Sequence, residues 1–553
     1  MDGSNSVEDV NNPTTGTGGG VGTGDNDHPN RYLRGARLFL AILGLGIAVF
    51  LPTAEASIIS TSLVTICKDL DGYDQSSWVI TAYLLTYTGF LVIWSKLTSI
   101  MGLRPAMLCS TIIFMAFSAA CGAARSMTEL IVFRALQGIG GSGLYSVPTI
   151  GMFQLVPGSR YSQINGISAS LMAISLLLGP LIGGAISQTG DWRWIFYYNV
   201  PAGAVSAGLI LAILPSRFPR HCEPPTEKKS TVLSSITSFL NKADVPGAFL
   251  LLSASVLLVA ALEEGGVHFA WNSAVIIAFF VLSGVLWVVF GLWEWYASRE
   301  EYRVEPMFPR RFFSNRTFLG VLLGCFVSGV PLIVAVIEIP QRYQLVNGAT
   351  PIQAGVRLLA YAAMLPFGIV LSNALTGKFQ VPFIYTLTLG AALQTVGFAL
   401  LSTVPTTVET WTGQYGYSVV SGLGIGISIG TFYVIGPIAV DKQDQHLAVG
   451  AGMQSRLLGS AVGIAIVNSI LNGYLREHLS SVLPSSQLDQ LLQSAASLDI
   501  FDSNVQFKVR ATYGEAFNLQ MRVTLAFCAA QFLIVPILWK RKPLRLTKNG
   551  TLE

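Results

Sequence analysis

The sequence predicts an all-α polytopic membrane protein with fourteen transmembrane helices, and three observations carry that class. Of 553 residues, 52% are hydrophobic and only 12% are charged, against about 25% charged in a soluble domain. The mean hydropathy is +0.56. The apolar residues are gathered into segments of about 20 residues, the length a helix needs to cross a bilayer. Without water to satisfy its backbone, such a segment must be helical.

The elements follow in order. Residues 1–35 are polar and rich in Gly, Thr, Asn and Asp, which reads as a disordered cytoplasmic tail rather than a secretory signal. The predicted spans are 38–66, 76–95, 104–123, 129–155, 162–187, 194–214, 245–263, 273–296, 318–340, 353–376, 382–402, 412–439, 447–473 and 517–539. An even number returns both termini to one side. With that side cytoplasmic, 23 of the 34 lysines and arginines fall in inner segments and seven in outer ones, as the positive-inside rule requires. The densest inner groups are 217–242, 299–316 and 540–548. The sequons at Asn315 and Asn549 then lie inside and carry no glycan. The outer segment 474–516 contains SQLDQLLQSAASL, which fits a surface amphipathic helix and a polar loop equally well. The six cysteines and five histidines are scattered, with no disulfide or metal spacing. No metal, cofactor or catalytic constellation is expected, so the chain does not read as an enzyme.

Small residues recur at four-residue spacing in several spans: Gly422, Gly426 and Gly430 in span 12, Gly179 and Gly183 in span 5, Gly320 and Gly324 in span 9. Helices in lipid associate through such close-packing faces. Pro180 directly follows Gly179 and removes a backbone donor, so a bend is expected there.

One charge is out of place. Glu55 is the only charged residue between Leu38 and Ile66, at a cost of about 2.5–3.5 kcal/mol on insertion scales. Span 1 runs outward and places Glu55 about 25 Å from its inner end at 1.5 Å per residue. Span 4 runs inward and places Arg134 a turn or two below the outer surface. Both fall in the outer half, within reach of pairing or sharing a proton.

The motifs form a recognisable order. Span 4 reads FRALQGIGGSGLYS, with Arg134, Gln137 and Gly138; span 5 reads LLLGPLIGGAI, with Gly179, Pro180, Gly183 and Gly184. DWRWIFYYNVPAG opens span 6, and GPIAVDKQDQHLAVGAGMQSRLLGSAVGIAI joins spans 12 and 13. Over residues 36–540 this resembles the major facilitator superfamily, and within it the fourteen-spanner drug:proton antiporters of fungi. The resemblance implies a major facilitator fold of two six-helix bundles, residues 36–214 and 317–540. Two extra helices and linkers (215–316) lie between them, and a short tail, 541–553, follows. It also implies inverted repeats in each half and a midplane cavity lined by spans 1, 4, 9 and 12. Glu55 fills a position where the family usually has an Asp, and the family ties the Arg of Arg134 to proton transfer. Desolvation disfavours a charged carboxylate, which suits a group that loads a proton outside and releases it inside.

The chain departs from the family at the loop after span 2, usually Gly-x-Leu-x-Asp-x-x-Gly-Arg. Here SKLTSIMGLR has Ser95 for the Gly, Ser99 for the Asp and Leu103 for the Arg, while Gly102 and a neighbouring Arg104 remain. A neutral Ser99 is expected to weaken the inner latch by about 1 kcal/mol, a shift of about fivefold towards the inward-facing state.

Tyr83, Tyr87, Phe432, Tyr433, Gln454 and Arg456 are candidate cavity residues, suited to a permissive apolar site. Together these features imply a proton-coupled efflux pump for amphipathic small molecules, drugs or a secondary metabolite. Its expected partners are substrate, protons and the lipid bilayer, without nucleic acid, and it is expected as a monomer in the cell membrane. The alternatives are an importer of siderophores, a vacuolar carrier of basic amino acids, and a non-transporting nutrient sensor on the same fold. The short basic tail argues against the sensor.

Overall fold

The computed structural model describes residues 33, 35–70, 76–157, 160–188, 191–215, 218, 244–266, 269–298, 306–441, 444–480, 483–484, 502–540 and 544–545. Its fourteen long helices follow the predicted order. The first six are α1 (Gly35–Leu70), α2 (Ser76–Met101), α3 (Leu103–Ala123), α4 (Met127–Gln154), α5 (Tyr161–Gln188) and α6 (Trp194–Ile213). Two central helices, α7 (Val245–Glu264) and α8 (Ala274–Ala297), come next. The second six are α9 (Arg316–Leu345), α10 (Gln353–Lys378), α11 (Phe383–Leu401), α12 (Gly413–Ile438), α13 (Gln445–Leu479) and α14 (Ser503–Ile534).

Twelve of the described helices are long and apolar enough to cross a membrane by length and composition. The other two long helices, α4 and α5, have 28 residues each. In α4 the reason is physical. Its run from Gly140 to Phe153 is buried without a break, so this helix has little lipid-facing surface and carries glycines and hydroxyls where a peripheral span carries leucine and valine.

Helices α1–α6 pack mainly on one another, and so do α9–α14; the halves meet along α2 against α13 and α5 against α10. Close approach depends on glycine. A Cβ on Gly138 would run into the Tyr83 carbonyl and Thr86 of α2, and one on Gly140 into the backbone of Phe114 on α3. Thr86 Oγ1 completes the α2–α4 seam by donating to the Ala135 carbonyl at 2.7 Å. The Gly422–Gly426–Gly430 face lies on Tyr361, Leu365 and Ile369 of α10. Gly320 packs against Leu538, and Gly324 receives the ring of Phe432. Gly179, Pro180, Gly183 and Gly184 all lie in α5; the surroundings of the last three fall outside the described residues.

The α7–α8 hairpin lies over the α2–α13 seam. Ser283 Oγ of α8 donates to the Ala254 carbonyl of α7 at 2.8 Å, and Trp293 Nε1 to the Asp244 cap of α7 at 2.8 Å. Helix α8 turns Val281, Val285, Val288 and Leu292 outward, as a lipid-facing span does.

Several helices run past their predicted ends: α1 reaches Leu70 rather than 66, α2 Met101 rather than 95 and α9 Leu345 rather than 340, and the largest difference flanks segment 474–516. Helix α13 continues to Leu479 and α14 begins at Ser503, past the predicted ends at 473 and 517. Leu475, Leu479 and Leu483 form a cluster with Val509, Tyr513, Leu345 and Val346. Arg510 Nη1 donates to the Leu345 carbonyl at 3.2 Å. This small apolar core holds both helices together beyond their predicted ends. The SQLDQLLQSAASL stretch lies outside the described residues.

This packing account separates two glycines. Gly426→Leu drives a side chain into α10 at the Leu365 carbonyl, whereas nothing lies within 4 Å of a Cβ on Gly284 of α8. Overpacking a tight contact costs about 1–3 kcal/mol. In detergent the melting temperature is expected to fall clearly for Gly426→Leu and to stay at the wild-type value for Gly284→Leu. Equal effects would refute the seam.

Candidate functional site

The polar core of the N-terminal half is built around Glu55 of α1. It is fully buried, and Arg134 of α4 is 1% exposed. Arg134 Nη1 donates to Glu55 Oε1 at 2.9 Å. Three further side chains complete the cluster. Asn199 Nδ2 of α6 donates to Glu55 Oε2 at 2.7 Å. Gln137, one turn along α4 and on the same face as Arg134, accepts from Arg134 Nη1 at 2.8 Å. Its Nε2 donates to Ser118 Oγ of α3 at 2.7 Å and to Glu55 Oε1 at 3.3 Å. Arg134 Nε donates to the Val79 carbonyl of α2 at 3.1 Å, and the Tyr83 ring covers the guanidinium at 4.2 Å. Five helices thus converge on one ion pair.

Such a pair is a weak stabiliser compared with a well-packed apolar core, yet breaking it by removing one partner strands the other charge. Protonation of Glu55 removes the anion without removing the side chain. The carboxyl then offers one donor in place of a charged acceptor, and the grip of Arg134 and Asn199 on α1 weakens together. The contacts tie α1, α4 and α6 to one carboxyl group.

A second buried guanidinium sits where the halves meet. Arg456 of α13 is 5% exposed. Its Nε donates to the Tyr433 hydroxyl of α12 at 2.7 Å, and its Nη2 to the Tyr145 hydroxyl of α4 at 2.8 Å. Between the two arginines runs a column of rings. Tyr83 stacks on Tyr87 with centroids 5.5 Å apart, and Tyr87 lies 6.1 Å from Tyr145. Phe432 and Tyr433 line a narrow apolar cleft of about 20 Å³ with Phe153, Cys325 and Met453. Gln454 points away from this cleft, donating to Ser255 Oγ of α7 at 3.0 Å.

Where α2 meets α3, the residues of the degenerate loop bond within the N-terminal half. Ser99 Oγ donates to the Lys96 carbonyl of its own helix at 2.7 Å. Gly102 takes φ 90° at the N-cap of α3, a backbone conformation that favours glycine. Arg104 donates to the carbonyls of Leu214 and Leu211 at 3.1 Å each, so it caps the end of α6 within its own half. The contact across the halves is made elsewhere. A Cβ on Gly450 of α13 would collide with Ser95 of α2, and Gln154 Nε2 lies 2.9 Å from His446 Nε2.

Sequence reasoning placed Glu55, Arg134 and Gln137, but it did not single out Ser118, Asn199 and Tyr145 as site residues. Asn199 stands in the DWRWIFYYNVPAG motif that carries the family resemblance, but the motif did not say that it reaches Glu55. Ser118 and Tyr145 gave no signal of their partners.

Comparison with known proteins agrees with this architecture. Residues 45–307 match the model of the Major Facilitator Superfamily. Over 526 residues the chain is 38% identical to the MFS-type transporter FPY5 of Fusarium mangiferae, covering 95% of this chain and 87% of that one. The chain belongs to the major facilitator superfamily. It is a membrane transporter similar to fungal efflux pumps, among them the rubrofusarin-specific efflux pump aurT of Gibberella zeae, 28% identical over 92% of this chain and 91% of that one. Among solved structures, a bacterial homologue of the human lysosomal transporter Spinster, in an inward-facing and unoccupied conformation, superposes with a TM-score of 0.55. It covers 92% of this chain and 100% of its own at 16% identity, and so shares the fold.

The buried joint makes a thermodynamic prediction for this transporter. Arg134→Gln leaves Glu55 buried without its cation and is expected to destabilise by about 3–5 kcal/mol. Adding Glu55→Gln removes the stranded charge, so the double variant is expected to melt above Arg134→Gln alone. Thermal melting of the three variants in detergent tests this. Additive losses would mean that the two side chains are energetically independent.

Proposed function

We propose that this transporter exports amphipathic small molecules across the plasma membrane in exchange for protons, by alternating access between its two halves. The observation that carries the reading is the Glu55–Arg134 pair, closed off from water and tied to α6 through Asn199. A static anchor gains nothing from a charge pair that breaks even at best with apolar packing. A coupled carrier needs a carboxylate whose two protonation states hold its helices differently. In this mechanism Glu55 takes a proton from the outer side, the joint with Arg134 loosens, the halves rock, and the proton leaves on the inner side as substrate is loaded for export.

The tyrosine column and apolar cleft support an amphipathic cargo. The relatives named as efflux pumps, one for rubrofusarin, support export of a secondary metabolite as the task. A carrier of basic amino acids would need carboxylates beside the cargo, whereas the central position holds Arg456. The inner latch fits the same cycle. Packing of Ser95 on Gly450 and the Gln154–His446 contact provide a neutral closure in place of the loop's missing acid, so the latch does not rest on Ser99.

Export driven by a proton gradient in everted vesicles tests the reading. Glu55→Gln is expected to reach the membrane in normal amount and lose gradient-driven export, and Glu55→Asp to keep part of it. Wild-type export by Glu55→Gln would remove Glu55 as the coupling group.

A further inference from the structure

The geometry points to Arg456 as the subsite for an anionic group on the cargo, so that this transporter selects organic acids, aromatic carboxylates above all. This rests on the export reading and names the substrate class for its central site.

Arg134 and Arg456 are both deeply buried, but only one is neutralised. Arg134 has Glu55; Arg456 has two phenols, Tyr433 and Tyr145, and no described carboxylate forms an ion pair with it. A guanidinium has five N–H donors. Two are used on the tyrosines, so three have no acceptor among the described residues. Burying a charge without a counter-charge is unfavourable, and Arg456 stays protonated at any physiological pH. The site therefore carries a standing positive charge and free donors in the planar fork that fits a carboxylate bidentately.

Its position suits cargo. Arg456 lies eleven residues into α13, about 16 Å from the inner end at 1.5 Å per residue, at the seam between the halves. Tyr433 and Met453, its hydroxyl partner and its neighbour one turn away, are both walls of the apolar cleft. When the halves part and the cleft widens, an aromatic acid would set its ring against Tyr433, Phe432 and Phe153 and its carboxylate on the guanidinium.

The same contact couples cargo to motion. Arg456 of the C-terminal half holds Tyr145 of the N-terminal half. A carboxylate competing for Nη2 releases Tyr145, and with it a polar tie across the seam. A neutral molecule of the same shape leaves the tie in place.

The test uses the purified full-length protein in lipid nanodiscs, with 1-pyrenebutyrate and its methyl ester as probes, the binding of each being measured by titration. The wild type is expected to bind the acid at least about tenfold more tightly than the ester, as a charge-assisted bidentate contact implies. Arg456→Gln is expected to remove that preference while leaving ester affinity unchanged, which also shows that the variant is folded. Equal affinity for acid and ester in the wild type, binding of neither, a preference that survives Arg456→Gln, or loss of ester binding in that variant would each overturn the inference. Transport in everted vesicles separates the two readings. If the acid binds through Arg456 but neither probe moves under a proton gradient, the export reading fails and the subsite stands. If both probes move equally and Arg456→Gln changes neither, the subsite fails and export stands.

Discussion

A negative charge sealed inside an apolar bundle constrains everything around it. Glu55 has no water to solvate it, so the surrounding helices must supply a cation and hydrogen-bond donors. Arg134, Gln137 and Asn199 do so from α4 and α6. Each donor is in turn positioned by something else: Arg134 by the Val79 carbonyl and the Tyr83 ring, Gln137 by Ser118. The glycines of α4 follow from the same constraint. They bring α2 and α3 close enough for their polar groups to reach the pair. An apolar core would be simpler and no less stable, and the proposed exchange of a proton at Glu55 gives the pair a use that packing alone does not.

The two buried arginines divide the work by position. Arg134 is bound to a carboxyl group within the N-terminal half. Arg456 lies at the seam and is bound to tyrosine hydroxyls on both sides of it. The stacked rings of Tyr83 and Tyr87 and the neighbouring Tyr145 connect them. A change in how α1 sits against α4 therefore reaches the seam through packed aromatic side chains rather than through a soft lipid-facing surface. The α7–α8 hairpin braces the same region from outside, through Gln454 and Ser255.

Much of this was legible in the sequence, and the reasons are local. Fourteen apolar runs, a lone Glu55 in an uncharged stretch and the Arg134–Gln137 spacing each appear within one helix, and helical geometry turns spacing into position. The partners Ser118, Asn199 and Tyr145 were not legible as site residues, because nothing in α3, α6 or the inner half of α4 says which neighbour a lone hydroxyl or amide meets. The ends of α13 and α14 were not legible, because Leu475, Leu479 and Leu483 find their apolar partners only across segment 474–516. The degenerate loop was read as a weaker latch. In the fold, Ser99 and Arg104 bond within the N-terminal half, and the contact across the seam passes through Ser95, Gly450, Gln154 and His446. Those contacts are spread over three helices, α2, α4 and α13, so the loop's own sequence does not announce them.

The central claim is that Glu55 is the proton-dependent joint of the N-terminal half. Infrared difference spectroscopy of the protein in lipid, recorded between neutral and acidic buffer, observes that joint directly. The account predicts a protonated-carboxyl C=O band on acidification that is missing from Glu55→Gln while other carboxyl bands remain. A wild-type difference spectrum identical to that of Glu55→Gln would contradict the account, since Glu55 would then keep one charge state throughout.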